Sequence, residues 1–519
     1  MESLKHKLPS DVEEEDAFSE VKRARPAADL PPEMWELIFR NLNAYWLRSA
    51  RLTCSSWNQI IRGSSRLMAK FVLTLTTGNF KEDRKLVRNL LATASGYTRA
   101  KLEFEQIGIH KPRQNWLKPL GTTLHTLSVK FSGTEVMLTG LLKELPNLKQ
   151  LKLIVRSHWF GSGVPSIRLD KLEELSITDP MPNILSFCRL MCPQLTVLKL
   201  DDYSSYRPDL KEEIVAFINS TRRTLKELQF HLPDRMIDDL VRIKELCLAR
   251  LAVDGCGRDI LRFVEQQPNL EELNLLWVIS IENLDEIISV LSKLKNLRVV
   301  ISEQGNHQSS LSLRKLSNIE SLNISHGNWL IPAKERLILT GCNLTNLRDL
   351  SLSRCHLSSQ VLTDLQGTNV SRLTLEFCSL PRLSDLARLK SLIHVELNEN
   401  EYFSRSDDVD STSSSVRSLK IVDADPRDLL AVVKVFPNLE RFEAAGITYV
   451  DEAVFEMMSQ HSPLVKELRF GKRCFFNIRT AVARLRALKT ISIQRSDYGS
   501  EDYAEQLRAE SSNVALEFW

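Results

Sequence analysis

Apolar residues alternate with polar ones in short stretches from about residue 67 to the end of the chain, in the pattern L-x-x-L-x-L. Examples are LPNLKQLKL ending at Leu153, LEELSI ending at Ile177 and PQLTVLKL ending at Leu200. Because strand side chains point alternately to opposite faces, the last two apolar residues of each stretch share one face. Each stretch therefore predicts a short β-strand with one buried side.

The second apolar position of each stretch serves as the anchor of a repeat. These anchors are Leu102, Leu127, Leu151, Leu175, Leu198, Leu228, Leu251, Leu273, Val300, Leu322, Leu350, Leu373, Val395, Leu419, Phe442, Leu468, Ile491 and Leu516. Their mean spacing of about 24 residues lies within the roughly 20 to 29 residues of a leucine-rich repeat, which the pattern resembles.

Helical sequence fills the space between anchors, as in ILSFCRLM at 184–191 and LLAVVKVF at 429–436, each followed closely by proline. Since one strand and one helix cannot bury their own apolar faces, neighbouring repeats must stack. We predict an α/β solenoid of about 18 irregular repeats over residues 67–519, a curved horseshoe with parallel strands on its concave face. The side chains expected to line that face are Lys152, Lys199, Gln229, Asn274, Asn323, Glu396 and Lys420.

Composition and charge indicate a soluble protein that binds other proteins. Apolar residues make up 43% of the 519 residues, and the net charge is only +3, too small to indicate a nucleic-acid or membrane surface. The N-terminal MESLKHKLPSDVEEED lacks an apolar signal-peptide core, so we expect a cytoplasmic or nuclear protein with reduced cysteines. Residues 1–27 are too polar to fold and are predicted to be a disordered tail.

Residues 29–61 form a pattern unlike the repeats that follow. Pro31 and Pro32 suit the start of a helix on which Met34, Ile38 and Leu42 share one face, with Trp35 and Phe39 on the adjacent face. A unit of about 40 residues has too small a core to cover so many large side chains. We therefore expect part of this apolar surface to bind a partner.

This segment, placed at residues 28–66, resembles the F-box. The matching positions are Leu30, Pro31, Glu33, Ile38, Phe39, Leu42, Leu52, Cys54 and Trp57. Thr53 and Asn43 depart from the usual pattern without removing an expected anchor. Three repeats, Leu251–Cys256, Leu350–Cys355 and Leu373–Cys378, further resemble the cysteine-containing repeat class that is common in F-box proteins.

The resemblance implies that Leu30, Pro31, Ile38, Leu42 and Trp57 contact the Skp-type linker subunit that joins F-box proteins to a cullin/RING assembly. Packing within the small helical unit is the alternative for these apolar residues, especially for Cys54 and Trp57. The implied function is substrate recognition in an SCF-type ubiquitin ligase, leading to ubiquitination and proteasomal degradation. A non-degradative scaffold that uses the same F-box contact is the alternative function.

Aromatic residues that follow strands are the candidates for substrate binding, because aromatic anchors dominate protein interfaces. They are Trp159, Phe160, Tyr203, Trp277, Trp329, Tyr402 and Phe403, and burial inside the array is the alternative for each. No catalytic residues, metal ligands or cofactor are predicted. Cys188 and Cys192 have no neighbouring pair of ligands and are interpreted as core residues.

Overall fold

A computed structural model describes residues 30–76, 96–104, 118–132, 135–155, 165–201, 208–231, 236–254, 260–301, 310–327, 337–342, 344–380, 382–399, 401–402, 414–424, 426–447, 449–472, 474–494 and 514–518. The chain divides into two compact units. The first comprises residues 1–128 and 141–148, and the second comprises residues 129–140 and 149–519. An α/β leucine-rich-repeat solenoid preceded by a helical unit, as predicted, is confirmed.

Four consecutive helices open the first unit: α1 Pro32–Arg40, α2 Ala44–Thr53, α3 Ser55–Gly63 and α4 Ser65–Met68. Polar or sulfur side chains of Asn43, Cys54 and Ser64 accept hydrogen bonds from the first-turn amides of α2, α3 and α4. Such caps satisfy amides that would otherwise lack a partner, so the helix boundaries follow directly from these residues. The unit continues with β1 Leu73–Thr76, β2 Arg99–Phe104 and α5 Lys118–Gly121.

A single apolar cluster holds the helices of the first unit together. Its buried members are Phe39, Leu47, Ala50, Ile61, Leu67, Met68 and Phe71. Trp35, Leu42, Trp57 and Tyr97 pack against this cluster while remaining partly accessible. The core thus combines residues from all four helices and from the segment that leads into β1.

Two elements, β3 Thr126–Phe131 and α6 Glu135–Leu142, cross the division between the units. In the second unit the principal strands are β4 Gln150–Val155, β5 Glu174–Thr178, β6 Val197–Asp201, β7 Glu227–His231, β8 Arg250–Asp254, β9 Glu272–Ile279, β10 Asn296–Ile301, β12 Ser321–His326, β14 Asp349–Ser353, β16 Arg372–Glu376, β18 His394–Asn398, β20 Ser418–Val422, β21 Arg441–Ala445, β23 Glu467–Phe470, β25 Thr490–Ile493 and β26 Ala515–Phe518. Each pairs in parallel with the next in this order.

Helices and short strands complete the repeats. The helices are α7 Pro182–Met191, α8 Pro208–Thr221, α9 Ile237–Val241, α10 Ile260–Val264, α11 Ile281–Val290, α12 Ser359–Leu365, α13 Ser384–Ala387, α14 Pro426–Val435, α15 Glu452–His461 and α16 Ile478–Arg484. Short parallel strands β11 Ser310–Ser312, β13 Leu337–Thr340, β15 Cys355–His356, β17 Ser379–Leu380 and β19 Glu401–Tyr402 form a second sheet, and β22 Tyr449–Val450 pairs with β24 Phe475–Phe476.

The predicted anchors of the second unit pair with one another from strand to strand, with one correction. At β10 the residue in register is Leu297, which pairs with Leu273 and Leu322, and not Val300. An irregularity between Val299 and Val300 shifts the pairing with β9, so that Val300 pairs with Val278. LRVVI contains an apolar residue at four of five positions, which made the choice of anchor ambiguous, although Leu294-x-x-Leu297-x-Val299 fits the repeat pattern.

Buried thiols fill the core of the repeats, and side-chain amides link neighbouring repeats. Cys188, Cys192, Cys355 and Cys378 are fully buried, as expected for core cysteines, whereas Cys256 lies outside the described residues. Burial raises the pKa of the Cys188 thiol to about 12. Asparagine amides donate to carbonyls one repeat earlier at Asn318, Asn346, Asn369 and Asn438.

Candidate protein-binding surfaces

The segment that contains α1 to α4, which we call the helical unit, exposes a concentrated set of large apolar side chains. We call this set the helical apolar patch; it consists of Leu30, Met34, Leu37, Ile38, Tyr45, Trp46 and Leu52. These seven are nearly half of the fifteen exposed large hydrophobic residues in the described part of the chain, yet they lie within 23 consecutive positions. Exposed apolar residues grouped in this way mark binding surfaces, whereas scattered ones do not.

Adjacent residues of α1 show how the helix divides its apolar side chains. Ile38 is 41% exposed, whereas Phe39 is 1% exposed and lies in the core. The Phe39 ring lies 5.6 Å from Trp35 and 5.3 Å from Trp57, and the two tryptophan rings are 4.6 Å apart. This aromatic cluster fills the inner face of α1, so Met34, Leu37 and Ile38 are left on the outer face.

Polar contacts hold α1 in place beneath the patch. Glu36 accepts hydrogen bonds from Arg40 and from the Ser64 hydroxyl, both at 2.9 Å. The Arg40 hydrogen bond is the main reason that the pKa of Glu36 lies below its usual range. At the other end, the Lys70 ammonium donates to the carbonyls of Arg40 and Leu42 at 2.5 and 2.6 Å. The outer face of α1 is therefore presented by a fixed helix.

The residues predicted to contact a linker subunit fall into two groups. Leu30, Pro31 and Ile38 are exposed, and the Pro31 carbonyl also accepts hydrogen bonds from the first turn of α1. Leu42 and Trp57 are half-buried against the core of the unit. Whether any of the five contacts a partner stays a prediction.

Three exposed patch residues and the role of Cys54 were missed by sequence reasoning. Leu37, Tyr45 and Trp46 were not singled out, although the excess of apolar residues over available core was a signal for them. Packing of Cys54 into the unit is wrong: its side chain is exposed, and its sulfur accepts the Trp57 amide hydrogen at a donor–sulfur distance of 3.5 Å. A cysteine in this position acts as a helix cap.

The open side of the second unit's sheet is polar, as predicted. Lys152, Lys199, Gln229, Asn274, Asn323, Glu396 and Lys420 all occupy the same register position on their strands and are half-buried or exposed. We call this row and the row of residues two positions earlier on each strand the open face.

Ion pairs link neighbouring strands across the open face. The Lys199 ammonium lies 2.9 Å from Glu174 and 3.3 Å from Glu227, and Lys420 lies 2.8 Å from Glu396. Desolvation by itself would lower the pKa of Lys199, but the hydrogen bond to Glu174 and the charge of Glu227 outweigh it and hold the pKa above its ordinary value. Further pairs lie along the same face: Arg250–Glu227 at 2.6 Å, Arg372–Asp349 at 3.1 Å and Arg441–Glu467 at 2.6 Å.

The aromatic candidates for substrate binding lie beyond what the structure describes. Trp159, Phe160, Tyr203, Trp329 and Phe403 are outside the described residues. Trp277 lies in β9 and Tyr402 in β19, but the described portion does not extend to their side chains. These seven residues remain predictions.

Among the described residues, no group of three His, Cys, Asp or Glu side chains is placed to hold a metal ion. None of the described helices combines the length and the apolar character needed to span a membrane.

Comparison with known proteins places one recognised domain in the chain. A family model described as F-box-like matches residues 27–74. This match covers α1 to α4 and part of β1, and it includes the whole helical apolar patch. No curated protein matches the sequence.

Solved structures give weak likenesses. The chain is similar to a TLR13–ssRNA13 complex (13% identity, TM-score 0.38), covering 82% of this chain and 56% of that one. It is also similar to an LRR protein of Leptospira interrogans (16% identity, TM-score 0.35), covering 83% of this chain and 98% of that one. A Rad7–Elc1 complex in yeast is similar as well (12% identity, TM-score 0.30), with 86% of this chain and 89% of that one covered. At these TM-scores the likenesses assign no function.

Proposed function

We propose that this protein, in which an F-box-like domain precedes leucine-rich repeats, is the non-catalytic substrate-recognition adaptor of an SCF-type ubiquitin ligase. The F-box-like domain docks on a Skp-type linker subunit, and the repeats bind a protein that is then ubiquitinated and degraded. The cytoplasm or the nucleus is the expected compartment.

The helical apolar patch is the observation that supports docking. F-box domains generally bind Skp-type subunits, and residues 27–74 match that domain. Burying apolar surface contributes roughly 25 cal/mol for each Å² removed from water, so a partner that covers seven large side chains gains several kcal/mol. The aromatic cluster and the Glu36 and Lys70 contacts hold α1 in place before binding, which reduces the entropic cost of docking.

The open face supports the second half of the proposal. An adaptor needs a broad surface on which a protein can be recognised, and each strand of the open face supplies two positions to it. An adaptor that holds a substrate close to a ubiquitin-loaded conjugating enzyme raises the effective concentration of the substrate near that enzyme. The adaptor itself needs no catalytic group for this.

Docking is tested by measuring the affinity of the full chain for a purified Skp-type linker subunit. Replacing Ile38→Glu puts a charge in the helical apolar patch, and we expect at least a 30-fold loss of affinity, equal to about 2 kcal/mol for an interface anchor. Leu464→Glu is the matched control, because Leu464 is similarly exposed at 49% but lies far along the chain. Equal affinity of Ile38→Glu and the wild type would refute docking through this patch.

Degradative function is tested by reconstituted ubiquitination of proteins that co-purify with the full chain. Modification of these proteins should require the linker, the cullin/RING assembly and the intact patch, and Ile38→Glu should remove it while Leu464→Glu keeps it. Captured proteins that bind normally but are never modified would instead favour the non-degradative scaffold.

A further inference from the structure

Arg298 differs from most of the other basic residues of the open face. Lys199, Arg250, Arg372, Lys420, Arg441 and Arg469 each lie within 4.0 Å of an acidic side chain. Within the described part of the open face, Arg298 and Lys152 have no such partner. Arg298 is exposed in the middle of β10, so it offers an uncompensated positive charge inside the array.

Uncharged amides flank Arg298 on both sides. In the strand register it pairs with Asn274 of β9 and with Asn323 of β12, and neighbouring strands lie about 4.8 Å apart. The NH2 group of an asparagine side chain can donate to a carboxylate oxygen, so amides beside a guanidinium add donors without adding charge, an arrangement that suits a single carboxylate.

Apolar side chains lie directly beyond Arg298 on the same side of the sheet. Leu276 and Val278 of β9 are 38% and 39% exposed, and Val300 of β10, which pairs with Val278, is half-buried. Most other positions on this side are polar. Val300 lies on the open side because it is two positions after Arg298 on β10, and the irregularity between β9 and β10 sets Val278 beside it.

Gly327, which follows β12, lies close to the two valines. A Cβ atom at this position would lie 3.0 Å from Val278 Cγ2 and 3.3 Å from Val300 Cγ1. Because residue 327 is a glycine, no side chain from it crowds the valines, which keep their partial exposure. We call Asn274, Leu276, Val278, Arg298, Val300 and Asn323 the central patch.

We propose that the central patch binds an extended protein segment that carries an acidic residue and, two positions away, a large apolar residue. Arg298 and Val300 are two positions apart on β10, which corresponds to about 6.6 Å, and side chains two positions apart on an extended peptide have the same spacing and direction. The acidic group would meet Arg298 between the two asparagines, and the apolar side chain would cover Val278 and Val300. This inference rests on the proposed function, because it describes the substrate that the adaptor recognises.

A carboxylate fits the site better than a phosphate. A phosphorylated side chain carries a charge of about −1.5 to −2 at neutral pH and is usually bound by several basic residues. Arg298 is the only unpaired basic side chain of the central patch, and Lys152 lies several strands away on β4. One guanidinium balances one carboxylate and can bind both of its oxygens.

The test is selection from a displayed library of random heptapeptides on the immobilised full chain, without linker subunit. Wild-type protein should enrich peptides with Asp or Glu two positions from Leu, Ile, Met or Phe. Arg298→Gln should lose the acidic preference and bind the enriched peptide at least tenfold more weakly by fluorescence polarisation. Arg298→Glu should instead enrich Lys or Arg at that position.

Two further variants test the apolar half of the motif and the specificity of the Arg298 effect. Val300→Ser should weaken the apolar preference and keep the acidic one, whereas Lys420→Gln removes an ion-paired charge from the same face and should change neither. Enrichment of peptides without an acidic residue, no enrichment by the wild type, or an acidic preference that survives Arg298→Gln would each overturn the proposal. The peptide selection contains no linker subunit, so its failure would not count against docking of the helical apolar patch. Loss of docking would likewise leave the peptide selection unchanged.

Discussion

The helical apolar patch and the open face are both accessible surfaces, but they are built in opposite ways. In the helical unit, Leu37 and Ile38 remain exposed beside the fully buried Phe39. On the open face, most charged side chains are matched by a charge on the next strand, as Lys199 is by Glu174 and Glu227.

Size explains the difference. The four-helix segment, some 45 residues long, has too little interior to cover its own apolar side chains, so some remain outside. A repeat array buries its leucines between neighbours and can keep its outer row polar. Exposed large apolar side chains are scattered along the rest of the described chain, and Leu276 and Val278 differ from the others in that both lie on the open side of one strand, beside Arg298.

The largest effect is expected inside the helical unit. Phe39→Ala removes a ring that contacts Trp35 and Trp57, and it should destabilise the unit by about 3–5 kcal/mol. Hydrogen exchange of residues 30–71 should speed up accordingly. Leu37→Ala, on the exposed side of the same helix, should change exchange little; similar effects of the two substitutions would contradict the division of α1 into inner and outer faces.

A second large effect should distinguish Leu297 from Val300 in the array. Leu297→Ala removes an anchor that is 2% exposed and should cost about 2–5 kcal/mol of stability, whereas Val300→Ala should cost less than about 1 kcal/mol. Denaturant unfolding of the full chain measures both. A greater loss of stability for Val300→Ala than for Leu297→Ala would show that Val300 is the buried anchor, as the sequence analysis predicted.

Breaking the ion pairs of the open face should have a small effect. Lys199→Met removes a charge that contacts two carboxylates at the surface, so we expect a change of at most about 1 kcal/mol, which decreases further at high salt. Thermal unfolding at low and high ionic strength checks this. A loss as large as that of Leu297→Ala would mean that charges, and not buried leucines, hold the array together.

The smallest effect concerns pH. Burial tends to raise the pKa of Glu467, but hydrogen bonds from Arg469 and Arg441 outweigh it and place the pKa below its ordinary value of 4.5. A lowered pKa in the folded state means that Glu467 stabilises the fold above about pH 4.5 and loses this contribution as the pH falls through its folded pKa. Glu467→Gln should flatten the loss of stability between neutral and acid pH; an unchanged acid dependence would show that other carboxylates govern it.

The sequence alone determined the repeats, the helical unit and the polar character of the open face, because each depends on local periodicity. Leucines two positions apart predict a strand wherever they occur, and the helices at 184–191 and 429–436 were found in the same way. The spacing from Leu30 to Trp57 was likewise enough to identify the F-box-like segment that the family comparison matches.

Only the tertiary structure decided which of several apolar neighbours is buried. Val300 and Leu297 both lie in an apolar run, and the pairing of β10 with β9 and β12 determines which of them faces the core. Cys54 could have packed inside the helical unit, yet the folded chain uses it to cap α3 at the surface. The isolation of Arg298 likewise depends on the side chains that neighbouring strands place beside it, and these come from repeats about 24 residues apart along the chain.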